Sequence, residues 1–194
     1  MRKHRDAGQA FPIYLTVVGG LLFLALAYFA VGQAATTRSQ AQTAADAAAL
    51  GAALETRDEL TDLWLANIAH PDEWLAIFQG DAPVTNACWR AQDLATRNKA
   101  TAKCSWLAPL RYEVEAETSD PVGKTIIPGT EGQTATETAT ALIEFRCSFT
   151  LPTENADDSP LPPLTCGGKE WPLKPDGRRD LPKAEDLFDV HLAN

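Results

Sequence analysis

An uncharged apolar run near the N-terminus constrains this chain more than any other feature. The segment Phe11–Val31 reads FPIYLTVVGGLLFLALAYFAV, 21 residues without a charge. As an α-helix it would measure about 30 Å, which is the thickness of a bilayer's hydrocarbon core. Because lipid cannot hydrogen-bond to the backbone, a single span of this length must be helical. The sequence therefore predicts one transmembrane helix over 11–31.

The helix is predicted to continue beyond this run. Residues 32–54 (GQAATTRSQAQTAADAAALGAAL) lack proline and are rich in helix-forming Ala, Gln and Leu. Pro71 disfavours helix at the preceding residue, so the helical extension 32–70 should end near His70. Around it we expect a basic cytoplasmic tail (1–10), an extracytoplasmic α+β domain (71–175) and an acidic flexible tail (176–194).

Charge predicts the orientation. Arg2, Lys3 and Arg5 precede the span and only Arg38 follows it closely, so the positive-inside rule places the N-terminus in the cytoplasm and the C-terminal domain outside. The net charge of −9 argues against nucleic acid as a partner. A cleaved signal peptide ending near Ala30-Val31-Gly32 is the alternative, although its apolar region would exceed the usual length.

The cysteines agree with an oxidising compartment. There are four, an even number, and all follow the span: Cys88, Cys104, Cys147 and Cys166. Three pairings are open, and the shortest loops favour Cys88 with Cys104 and Cys147 with Cys166. A zinc site is the weaker interpretation, because no C-x-x-C occurs and the histidines show no ligand spacing to the cysteines.

Small residues recur on one side of the helical extension. This packing seam comprises Ala34, Ala41, Ala45, Asp46, Ala48 and Ala52. Alanine lets another backbone approach closely, so the seam packs either against helices of other subunits or on the chain's own domain. Asp46 is either a solvated charge or a partner for Arg38 or Gln42 of a neighbouring subunit.

The second half of the chain predicts a small antiparallel sheet. Residues 111–118 alternate apolar and charged side chains, as a half-buried strand does, and residues 134–151 carry the longest β signal. The prolines of 152–175 predict that most of this segment lacks regular structure. In the tail, Leu187, Phe188, Val190 and Leu192 suggest a short amphipathic docking helix.

No motif for catalysis or cofactor binding is present. The sequence lacks G-x-S-x-G, H-E-x-x-H and glycine-rich phosphate loops, so we expect neither an enzyme nor a cofactor. Asp157-Asp158 suggests at most a weak calcium site. The five tryptophans suggest either core packing or a carbohydrate platform; they are Trp64, Trp74, Trp89, Trp106 and Trp171.

Residues 42–52 read QTAADAAALGA. This run resembles the signature that ends the N-terminal segment of TadG-like Flp (tight adherence) pilus-assembly proteins, and the resemblance covers residues 8–54. A looser similarity to actinobacterial TadE/TadG-type minor pilin-like proteins continues to Ala116, with Asn98 expected in the left-handed turn that ends a helix.

In the related prepilins a leader is cut after a glycine that here corresponds to Gly8. The fifth residue after that cut is Ile13, where type IV pilins and true TadE pseudopilins carry Glu. The resemblance implies a single-pass, pilin-like pseudopilin component of a Flp pilus or related secretion apparatus. Its partners would be the membrane and other pilin-like subunits or assembly proteins that bind the N-terminal helix. The alternative is an envelope module that binds cell-wall carbohydrate or a protein.

Overall fold

The computed structural model describes residues 10–122, 131–151, 161–174 and 181–193. In these residues the chain forms four helices and seven strands. In chain order they are α1 (Ala10–Ala66), α2 (Pro71–Phe78), α3 (Cys88–Arg97), β1 (Ala100–Ala108), β2 (Arg111–Thr118), β3 (Thr136–Phe145), β4 (Cys147–Ser148), β5 (Leu164–Cys166), β6 (Lys169–Trp171), α4 (Ala184–Leu187) and β7 (Phe188–Leu192). The predicted α+β class, with a long N-terminal helix and a small antiparallel sheet, is confirmed.

Helix α1 is continuous over 57 residues and would measure about 85 Å. It ends at Ala66, a little before the predicted end near His70. The side-chain amide of Asn67 donates to the carbonyl of Leu63 at 2.9 Å, and its backbone N–H reaches the same carbonyl. These bonds close the last turn, and Pro71 then starts α2 in the first helical position.

Helix α3 packs beside α1 and leads directly into the sheet. The turn after it contains a left-handed residue, but that residue is Lys99, with φ 57°, and not Asn98, with φ −93°. The prediction for Asn98 was therefore wrong. Its side-chain amide instead donates to the carbonyl of Leu94 at 2.8 Å, which satisfies a carbonyl at the helix end.

The main sheet is antiparallel, with the strand order β1-β2-β3-β7. Its register places Val114 between Cys104 on β1 and Ala139 on β3. Alternate residues of β2 are buried against α1, and their neighbours point to the opposite face. The half-buried strand predicted for 111–118 is thus confirmed.

The C-terminal third contains short strands that the sequence did not predict. Within the segment expected to be irregular, β5 and β6 form a hairpin that pairs with β4. Gly167 and Gly168 have φ values of 57° and 83°, as the two-residue turn of a hairpin requires, and the prolines of this hairpin region flank the strands rather than interrupt them.

The expected docking helix at the C-terminus is instead mostly a strand. Phe188, Val190 and Leu192 alternate along β7, which pairs with β3 at the edge of the main sheet. Only α4, one turn long, is helical. The tail expected to be flexible from residue 176 therefore contributes a strand to the sheet, and Leu187 and Phe188 are buried in the core.

Two disulfides join elements that lie side by side. Cys88 at the start of α3 is bonded to Cys104 on β1, and Cys147 on β4 is bonded to Cys166 on β5. No cysteine is free. The pairing is the one that the shortest loops favour.

Candidate membrane anchor and helix interface

The first part of α1 exposes its apolar side chains on every side. Between Phe11 and Val31 the exposed fraction of the large apolar residues runs from 47% for Leu26 to 84% for Tyr28, except at Val18, which is partly buried. This is the one helix among the described residues that is long and apolar enough to cross a membrane, and none of its most apolar window is buried. An apolar surface of this size is unfavourable in water, so the segment fits a membrane anchor.

The same helix becomes part of the folded domain at Thr37. Thr37 is 7% exposed and Ala41 is fully buried, whereas residues 34–36 are exposed. Thr37 follows Val31 by six residues, or about 9 Å of helix. If Val31 lies at the edge of the hydrocarbon core, the domain therefore begins within or just beyond the lipid headgroups.

The predicted packing seam lies mostly inside the chain's own domain. Ala41, Ala45, Ala48 and Ala52 have no exposed surface, and α1 packs there on β2, β3 and α3. Of the predicted alanines, Ala34 alone is exposed. Of the two alternatives for the seam, packing on the chain's own domain therefore fits the four buried alanines, because the domain already occupies these surfaces.

The polar residues predicted for subunit contacts find partners within the chain. Asp46 is partly buried and accepts a hydrogen bond from Nε2 of Gln42 at 2.7 Å. Arg38 forms an ion pair with Glu137 on β3. Gln42 and Asp46 meet because they are four residues apart on the same helix, and Arg38 reaches Glu137 because α1 packs on the sheet. Neither contact requires a neighbouring subunit.

A buried hydroxyl pair connects α1 to the sheet and to α3. The Tyr112 hydroxyl lies 2.8 Å from Oγ1 of Thr56 and accepts the backbone N–H of Ala87 at 3.1 Å. Tyr112 and Thr56 have no exposed surface. This contact could not be predicted from the sequence, because Tyr112 occupies one of the apolar positions that alternate along β2.

A second polar contact holds the loop before α3. The Glu59 carboxylate accepts the backbone N–H of Thr85 at 2.9 Å and its hydroxyl at 3.0 Å. The Asn86 side chain then accepts the N–H of Cys88 at 2.8 Å, at the first turn of α3. Together these bonds fix where α3 starts beside α1.

The tryptophans do not form a common platform. Trp64 and Trp74 are fully buried and meet edge to face, with ring centroids 5.9 Å apart. Trp106 and Trp171 are partly buried, and only Trp89 is largely exposed, at 53%. Core packing therefore accounts for most of them.

The face of the sheet opposite α1 is polar and acidic. Glu113, Glu115 and Glu117 alternate along β2, and Lys103 on β1 donates to Glu115 at 2.7 Å. This hydrogen bond, together with the negative charge of Glu115, raises the pKa of Lys103. In the described ranges, no three or more His, Cys, Asp or Glu residues are grouped as metal ligands would be. Asp157-Asp158 and Gly8 lie outside the described residues.

Comparisons with known proteins bear on the N-terminal quarter of the chain. No curated protein and no solved structure matches the chain significantly. The looser similarity to TadE/TadG-type minor pilin-like proteins, which was predicted to continue to Ala116, stays a prediction. One family model matches residues 8–55, and its description is putative Flp pilus-assembly TadE/G-like. The matched range includes the exposed apolar segment and the first buried turns of α1. The match confirms the resemblance predicted for residues 8–54.

Proposed function

We propose that this protein is a membrane-anchored, pilin-like component of a Flp/Tad-type pilus or a related secretion apparatus. The observation that carries the proposal is the family match over residues 8–55, because it covers the part of α1 that leaves the domain as an exposed apolar helix. The role is structural, with the N-terminus in the cytoplasm and the domain outside.

The shape of α1 supports such a role. The helix runs without a break from its exposed apolar segment into the core, where Ala44, Ala48 and Ala52 are fully buried. A continuous helix transmits position and force more directly than a flexible linker does. The anchor would therefore hold the domain at a fixed height above the membrane, where other pilus components could bind it.

Membrane extraction and thiol labelling test the anchor and its orientation. The protein should remain in the membrane after alkaline carbonate washing. Because all four native cysteines are in disulfides, a single introduced thiol can be labelled selectively. A membrane-impermeant maleimide should label Thr138→Cys in intact cells, and should label Gln9→Cys, which a cut after Gly8 would retain, only after the membrane is opened. Release by carbonate, or the reverse labelling pattern, would refute the anchor or its orientation.

The pilus assignment needs a separate test. Deletion of the gene should abolish or shorten surface pili, and an affinity-tagged chain should copurify with the pilus platform proteins from detergent extracts. Normal piliation after deletion would contradict the assignment. The intact mass of the mature chain shows whether processing occurs at Gly8, since an uncut Met1 would separate this protein from processed pilins.

A further inference from the structure

We draw no further inference here: the strongest candidate, the apolar groove between the last turns of α1 and the segment that leads into α4, which is lined by Leu65, Ile68, Leu181 and Lys183 among others, carries no proposal because nothing in the structure shows what covers it.

Discussion

Removal of one buried hydroxyl should weaken the connection between α1, the sheet and α3. Tyr112→Phe keeps the ring and leaves no cavity, but the backbone N–H of Ala87 loses its acceptor and Thr56 loses its partner. A buried donor without a partner costs about 1–3 kcal/mol. Thr56 can turn its hydroxyl to a carbonyl of its own helix, so most of the loss comes from Ala87. We expect a loss of about 2 kcal/mol in the free energy of unfolding.

Urea unfolding of the full chain in non-ionic detergent, followed by tryptophan fluorescence, measures this loss. Trp64 and Trp74 are fully buried and report on the core. With a slope of about 2 kcal/mol per molar urea, the midpoint should fall by about 1 M. Tyr28→Phe is the matched control, because it removes the same hydroxyl from a side chain that is 84% exposed, and it should change the midpoint by less than about 0.2 M.

A double-mutant cycle with Thr56→Val isolates the pair. The effects of Tyr112→Phe and Thr56→Val should fall short of additive by about 0.5–1 kcal/mol, because both remove the same hydrogen bond. If Tyr112→Phe is as stable as Tyr28→Phe, the hydroxyl does not connect the three elements and the reasoning is wrong.

Three further changes test the packing of the helix and its supports. Ala48→Leu should overpack the core and lower the free energy of unfolding by about 1–3 kcal/mol, whereas Ala34→Leu should change it by less than about 0.5 kcal/mol in the same urea titration. Glu59→Ala should cost about 1 kcal/mol and increase hydrogen exchange at the loop amides before α3, while Glu59→Gln should keep part of that protection. Replacing Cys88 and Cys104 together by Ala opens a loop with a sequence separation of 16 and should cost about 3 kcal/mol; an unchanged urea midpoint would show that the disulfide adds nothing.

The sequence predicted the features that depend on local pattern. In lipid the uncharged run over 11–31 has no alternative to a helix. The alternation over 111–118 defines both faces of β2 without reference to other elements. Loop length alone was enough to favour the disulfide pairs. These features needed no knowledge of what each element packs against.

The features that the sequence did not predict depend on distant partners. A row of alanines allows close approach to any surface, so the seam at Ala41 to Ala52 could not reveal that its partner is the chain's own sheet. The strand β7 had a visible signal, since Phe188, Val190 and Leu192 alternate, but its pairing with β3 spans more than forty residues. The glycine pair at 167–168 was a turn signal that the surrounding prolines obscured.

Spin labelling along α1 tests most directly the claim that one helix is first a membrane anchor and then the core of a domain. Single labelled cysteines at Phe23, Asp62 and Ala48 in the liposome-reconstituted chain should give three different responses to relaxation agents, because Phe23 lies on the exposed apolar segment, Asp62 on the exposed surface of the domain and Ala48 in the core. We predict that Phe23 is accessible to oxygen and shielded from a water-soluble nickel complex, that Asp62 is accessible to nickel, and that Ala48 in the folded chain is shielded from both. A label at Phe23 that is accessible to nickel, or one at Ala48 that is exposed to lipid in the folded chain, would contradict the account.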